Sequence, residues 1–366
     1  MATGERLSPL DATLLFLETA TSSSSIGLVC RFDGPIPFET YVKDFKFHRI
    51  QRLHRFRQVV APVPLNLSFP TWEDDPNFDL ERHLSHVHLE PPGSERQLRE
   101  LTDQFIGKRF DFRRPPWNIL VVNGICGNCS AVILHMHHCI SDGVGLMKIL
   151  RVVFDSSPTP LRTDVPQETL AIAPALPNSL QRIGRAIRDR FSQRAEKRLS
   201  GGASNDAAEE KAAGKESSKA FNTVMKDFIM APGVRLPFNA PLSGRVHHAS
   251  TVFDIDEFRR ISNAAGGTVN DILLAILAGA IDRIAEESRI EAKGKFCRVY
   301  QASNVRRDDE QDQWGNRLAF LPALLPLGMT DLRERLGQIA AYSKKMKELG
   351  IRETADRLVR GFQSKT

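Results

Sequence analysis

Two apolar runs, Ile119 to Ile125 and Ala131 to Met136, flank the short step Cys126-Gly127-Asn128-Cys129, and His137 and His138 stand directly behind the second run. Short runs rich in β-branched residues on either side of a glycine-containing step predict an antiparallel hairpin. From Gly143 to Phe154 the apolar positions Val144, Met147, Ile149, Leu150 and Val153 return at helical spacing. Here the chain is committed to a hairpin strand that runs out into a helix, with the histidines at the junction.

The remaining patterns extend this to an α/β chain. Ser8 and Pro9 open a leucine-rich helix over Ala12 to Glu18, and Ile26 to Phe32 reads as a strand closed by Gly34-Pro35. Leu98, Leu101, Phe105 and Ile106 predict a helix that Pro115 and Pro116 stop. In the second half, strands are expected at Val252 to Ile255, Phe296 to Ala302 and Leu318 to Pro326, and helices at Ile255 to Ala265, Val269 to Ala285 and Asp331 to Leu349. The helix after Thr268 is apolar enough to be almost wholly buried. With 366 residues the chain can bury two ordinary cores. Two domains, 1–165 and 221–366, are expected, joined by a linker over 166–220.

Net charge is +6, which suits an anionic cofactor, membrane surface or nucleic acid equally well. Basic residues concentrate between Lys43 and Arg57, interleaved with Phe45, Ile50, Leu53 and Phe56. The reading preferred over a nucleic-acid surface is an amphipathic helix with a solvated basic face. A second basic amphipathic helix, Asn178 to Leu199, leaves two readings open: contact with an anionic membrane, or packing on its own protein. No run approaches the roughly 20 apolar residues of a membrane-spanning helix, and Met1 to Pro9 lacks the pattern of a secretory signal. A cytoplasmic location follows, with peripheral membrane contact left open. The five cysteines are expected as free thiols, and the lone C-x-x-C as part of the hairpin turn.

The run His135-Met136-His137-His138-Cys139-Ile140-Ser141-Asp142-Gly143 carries the chemistry. A metal site is the weaker reading: on a strand His135 and His137 share one face and His138 turns to the other, and no H-E-x-x-H spacing occurs. A general base fits better, because imidazole titrates near neutrality and can take a hydroxyl proton and later return it. Such a base needs a carboxylate or carbonyl to fix its tautomer, and Gly143 would let the chain turn and substrate approach.

His137-His138-x-x-x-Asp142-Gly143 resembles the H-H-x-x-x-D-G motif of the wax ester synthase/acyl-CoA:diacylglycerol acyltransferase family, in the superfamily of chloramphenicol acetyltransferase-like enzymes. Leu7-Ser8-Pro9-Leu10-Asp11, the segment Trp72 to Leu80, Pro237 to Pro241, Asn270-Asp271 and Gly315-Asn316 resemble further family motifs in the family's order. Pro115-Pro116-Trp117 departs from its P-L-W. The resemblance implies a two-domain α/β fold of mixed sheets flanked by helices, with a tunnel between the halves. Because the family's chains continue past the position matching Thr366, the second domain is expected to be incomplete.

The activity implied is transfer of a long-chain fatty acyl group from acyl-CoA to a lipid hydroxyl, giving triacylglycerol or wax ester. Acyl-CoA and a lipid hydroxyl acceptor are the partners implied, with peripheral membrane or lipid-droplet contact left open, and no resident cofactor, metal or nucleic acid is implied. His138 would be the general base, supported by His137, Gly143 and a structural Asp142 paired with Arg306. Asn270 and Asn316 are candidate substrate-binding residues, and Cys139 no nucleophile. Two rival readings are a lipid-binding or scaffold protein that keeps the fold without turnover, and an acyltransferase of secondary metabolism.

Overall fold

The computed structural model describes residues 4–155, 157, 173–199, 219–307 and 315–363, with backbone alone for 190–199 and 358–363. Of the expected linker, 166–172 and 200–218 lie outside the described residues. Two compact units form, Met1–Gly201 with Leu242–Ala249 and Asp312–Asn316, and Gly202–Pro241 with Ser250–Gln311 and Arg317–Thr366.

In the first unit the hairpin is present as β6 (Trp117–Ile125) and β7 (Cys129–His137), with Cys126 and Gly127 at positive φ in the turn. Their sheet is completed by β2 (Ser25–Phe32) and β5 (Leu84–His88), in the order β2-β7-β6-β5, with β5 parallel to β6. Alternation along the hairpin feeds two cores, because successive side chains leave opposite faces of the sheet. Ile119, Val121, Val132, Leu134 and Met136 join Phe45, Phe56 and Trp117 on one face. On the other, Leu120, Val122, Ala131 and Ile133 meet Leu98 and Phe105 of α3 (Glu95–Ile106), a helix opened by a Ser94–Gln97 capping box.

Trp117 fixes the first core. It is fully buried, stacks on Phe56 and His83 with ring centroids 4.5 Å away in each case, and donates its indole N–H to the Phe56 carbonyl at 2.7 Å. The residues delivering Phe56 correct the sequence reading. Instead of one amphipathic helix over Lys43 to Arg57, the chain forms α2 (Phe38–Asp44) and then a π turn and two 3-10 turns. The tighter and looser turns bring Phe45, Ile50, Leu53 and Phe56 all into the core. They also turn two cations inward: Arg49 binds Asp44 and Asp155, and buried Arg55 binds Glu5 and lies over the Trp72 ring.

A three-stranded sheet, β1 (Glu5–Arg6), β4 (Thr71–Asp74) and β3 (Gln58–Ala61), lies in the order β1-β4-β3. The basic helix is α5 (Ser179–Leu199), and part of it packs on its own protein. Arg185 pairs with Glu73 at 3.2 Å, Arg182 donates to the Pro62 carbonyl and Ala186 is buried. Leu180 and Ile187 remain exposed.

The second unit pairs β8 (Phe296–Asn304) with β9 (Leu318–Pro326) and sets around them helices α6 (219–230), α7 (Ile255–Ala265), α8 (Val269–Glu287), α9 (Leu332–Glu348) and α10 (Ile351–Gln363). Gly266 stops α7 in the left-handed region, and Thr268 and Asp271 form the capping box of α8. Two expectations fail here. Thr251 to Asp254 is irregular rather than a strand, with Val252 and Phe253 exposed and no strand paired to it among the described residues. One stripe of α8, Leu273, Ile276, Leu277 and Ile284, is exposed, whereas Ile272, Ala278 and Ile281 are buried. No single helix among the described residues is long and apolar enough to cross a membrane.

Candidate active site

β7 ends at His137, and the chain then turns through His138 to Ser141 into α4 (Gly143–Val153). Strand geometry sorts the histidines as their spacing predicts. His135 and His137 are both fully buried and both meet the Phe110 ring, while His138 alone of the three is partly exposed.

The backbone of the turn is closely tied. The His137 N–H donates to the Pro116 carbonyl at 2.9 Å and the His138 N–H to the Ser24 carbonyl at 2.8 Å. Next, the Cys139 N–H donates to His137 Nδ1 at 3.1 Å, so the ring of His137 bonds across His138 to the residue beyond it. Asp142 caps α4, accepting the Gly145 N–H at 3.0 Å. Asn316 comes from far along the chain and is fully buried. Its Nδ2 donates to the His138 carbonyl at 2.7 Å and to Asp11 Oδ1 at 2.6 Å. Asp11, on α1 (Pro9–Phe16), also receives the Ser8 hydroxyl at 2.7 Å and the Asn316 N–H at 3.0 Å. Ser8, Asp11 and Asn316 thus form a polar chain that ends on the backbone of His138.

Each expected site residue can be placed. His138 stands at the turn, with its Nδ1 shielded from solvent and no hydrogen-bond partner for that atom among the described residues. A buried carboxylate does face the run, but beside His137: Glu18 Oε2 lies 3.3 Å from His137 Nε2, with both side chains buried. Asp142 is buried as the cap of α4. Asn270 is exposed in the second unit, donating to Gln301 Oε1 at 2.9 Å beside a cavity of about 450 Å³ that also exposes Lys347 and Arg352. Arg306 is buried in that unit, its N–H on Asn304 Oδ1 at 3.0 Å. Glu18, Asp11 and Gly145 were not singled out from sequence as site residues.

The glycines exchange roles relative to expectation. Gly143 occupies the first turn of α4 without positive φ, and a Cβ there would meet nothing within 4 Å. At Gly145 a Cβ would lie 1.7 Å from Ser141 Oγ. Gly145→Ala is therefore expected to destabilise the chain by about 1–3 kcal/mol through overpacking, and Gly143→Ala to change stability by less than about 0.5 kcal/mol. Urea midpoints of the two variants test this; equal midpoints would remove the steric assignment.

Burial governs the titration of the run. Buried against the Phe105 and Phe110 rings, with no hydrogen-bond partner for either ring nitrogen among the described residues, His135 is pushed down by burial to about 4 from its ordinary 6.5. His137 is pushed to about 4 by burial and then by His138 and His135, although Glu18 at 3.3 Å acts in the opposite direction. At His135 burial acts alone. The folded state refuses a proton that the unfolded chain accepts, so stability is complete above pH 6.5 and falls as the pH drops from 6.5 towards 4. The loss from His135 is about 3 kcal/mol at the lower end. Unfolding free energies at pH 7 and 4.5 should differ less in His135→Leu than in the wild type, and equal differences would count against a buried neutral ring.

Cys139 is fully buried, and burial raises its thiol well above the ordinary range, which disfavours the thiolate a nucleophile needs.

Residues 7–273 match the model of a family described as wax ester synthase/diacylglycerol acyltransferase catalytic domain. A putative diacylglycerol O-acyltransferase of Mycobacterium tuberculosis is 29% identical over 291 residues, covering 77% of this chain and 59% of that protein. An O-acyltransferase WSD of Acinetobacter baylyi is 27% identical over 365 residues, covering 96% of this chain and 74% of that protein. Among solved structures, the wax ester synthase/diacylglycerol acyltransferase of Marinobacter aquaeolei superposes with a TM-score of 0.57 at 20% identity, covering 98% of this chain and 76% of that one. The first condensation domain of the calcium-dependent antibiotic synthetase gives 0.56 at 12% identity, covering 98% of this chain and 78% of that one. These likenesses show the fold, the two-domain α/β architecture of mixed sheets flanked by helices.

Proposed function

We propose that this chain, which belongs to the wax ester synthase/diacylglycerol acyltransferase family, moves a long-chain fatty acyl group from acyl-CoA to a lipid hydroxyl, with His138 as the general base. The observation that carries the reading is the sorting of the three histidines: His135 and His137 are sealed in the core, and His138 alone reaches the surface at the strand-to-helix turn. In the proposed step, His138 removes the proton of the acceptor hydroxyl as its oxygen attacks the thioester carbonyl. The tetrahedral intermediate then collapses, the carbon–sulfur bond breaks, and the proton passes to the departing CoA thiolate. Transfer is direct, and the buried, protonated Cys139 supports the absence of an acyl-enzyme.

The neighbouring residues take positioning roles in this reading. Asp142 holds the start of α4, and Asn316 holds the His138 carbonyl rather than substrate. The open space before Gly143 leaves room for a ligand beside the backbone. Asn270 is retained as a candidate substrate-facing residue because it borders a cavity of the second unit. Since the acceptor is insoluble in water, the chain has to meet a lipid phase, and the exposed Leu180 and Ile187 of the basic helix α5 are suited to peripheral contact.

Palmitoyl-CoA offered with hexadecanol, with dipalmitoylglycerol and with tripalmitoylglycerol, which lacks a hydroxyl, tests the acceptor class by chromatography of the products. Ester formed with either hydroxyl acceptor supports the reading and names the acceptor. Palmitate released at the same rate with all three would make the protein a thioesterase instead.

A further inference from the structure

Glu18 is a buried carboxylate that the proposed reaction leaves without a task. Its side chain is 4% exposed, and the side chain of His137 beside it is 0% exposed. Burial of an ionised carboxylate is costly unless it is paired, so its neighbours indicate what holds it. Oε2 lies 3.3 Å from His137 Nε2, and Oε1 lies 3.8 Å from Nε of the half-exposed Arg109. Neither carboxylate oxygen nor His137 Nε2 has a closed hydrogen bond among the described residues, so the pair is held as facing charges and dipoles.

The other side of the His137 ring determines its protonation. Nδ1 accepts the Cys139 N–H, so it carries no proton, and a neutral ring must carry its proton on Nε2, the atom facing Glu18. Phe110 and Phe112 meet the ring edge-on, at interplanar angles of 84° and 79°, which restrains its plane. The ring therefore connects two things. On Nε2 it faces a carboxylate, and on Nδ1 it holds the residue following His138.

We infer that Glu18 is a positioning residue: its carboxylate, facing His137 Nε2 at 3.3 Å, favours the proton on that nitrogen, keeps Nδ1 free to hold the Cys139 N–H, and so fixes the turn that aims His138. The effect on turnover rests on the acyl-transfer reading above, whereas the effect on the His137 ring does not. Without an acceptor at position 18 the proton can move to Nδ1, the Cys139 N–H loses its partner, and the backbone on the far side of His138 loosens. Carboxylates that orient metal-ligating histidines cost about 10–100-fold in activity when lost, and a loss of the same order is expected for Glu18.

The test uses the full chain as wild type, Glu18→Leu and Glu18→Gln, with two readouts. Ring-nitrogen NMR of histidine-labelled protein, together with hydrogen exchange at the Cys139 amide, reads the tautomer directly. Palmitoyl-CoA kinetics separate kcat from KM. Expected in Glu18→Leu are appearance of the Nδ1–H tautomer, amide exchange at Cys139 at least about tenfold faster, and kcat lowered 10–100-fold at little-changed KM. Glu18→Gln keeps an acceptor oxygen, so it should show the Nε2–H tautomer and most of kcat; an Nδ1–H ring or a roughly 10–100-fold loss of kcat in a folded glutamine variant overturns the assignment even if the leucine variant does not fold. An unchanged ring and amide in a variant without the acceptor overturns the assignment, as does a changed ring at wild-type kcat. A changed ring in a protein whose wild type shows no turnover supports the Glu18–His137 pairing and removes the acyl-transfer reading instead.

Discussion

His138→Ala is expected to lower kcat/KM for acyl transfer by about 10²–10⁴-fold while shifting the thermal midpoint by no more than about 2 °C. The two halves of this expectation have separate causes. Removing the ring removes the only base at the turn that reaches the surface. The ring is not what holds the turn, because the bonds at this position are made by backbone: the N–H to Ser24 and the carbonyl to Asn316. Both survive truncation at Cβ. A variant that loses activity and stability together would show that the ring is part of the core instead, and would place the chemistry elsewhere.

Trp117→Ala should give the largest stability loss in the first unit, about 3–5 kcal/mol. The indole is fully buried and stacked between Phe56 and His83, with Phe45 at 6.0 Å, so no side chain can collapse into the space without leaving its own contacts. Its N–H also satisfies the Phe56 carbonyl at 2.7 Å. Trp117→Phe keeps much of the apolar contact but leaves that carbonyl unpaired, and should cost about 1–3 kcal/mol. Chemical denaturation of both variants measures this. Because domains have only about 5–15 kcal/mol to lose, the alanine variant should also populate unfolded chain at growth temperature. If the two variants unfold at the same midpoint, the cavity term is not the larger one.

What was legible in the sequence follows from the range of the interactions involved. The hairpin, the junction and the helix after it are set by contacts between near neighbours in sequence, and β6, β7 and α4 lie within two residues of where the pattern puts them. Capping is equally local, so Ser8 and Thr268 could be read directly. The basic stretch misled because Phe45, Ile50, Leu53 and Phe56 fall near helical spacing but reach the core by π and 3-10 turns. The exposed stripe of α8 was illegible because apolarity reports what a helix can bury, not what lies against it. Asn316 and Asp11 are 305 residues apart, and their bond has no local signature. Glu18 was hidden for the same reason: as the last residue of the leucine-rich segment it carries no local sign that the fold brings His137 to it.

Gly143 and Gly145 show the limit of a motif more finely. The motif names the first, but crowding by Ser141 demands the second. A motif marks where a reaction is carried out, while the steric need for a glycine depends on which neighbour the turn brings within contact.

The most direct measurement is thiol release from palmitoyl-CoA by the full chain, with and without hexadecanol or dipalmitoylglycerol, for the wild type and His138→Ala at matched folded concentration. Expected is acceptor-dependent release by the wild type, one thiol for each ester formed, and its loss in the variant. Release that persists in His138→Ala, or a folded wild type that forms no ester with either acceptor, would contradict general-base acyl transfer at this turn.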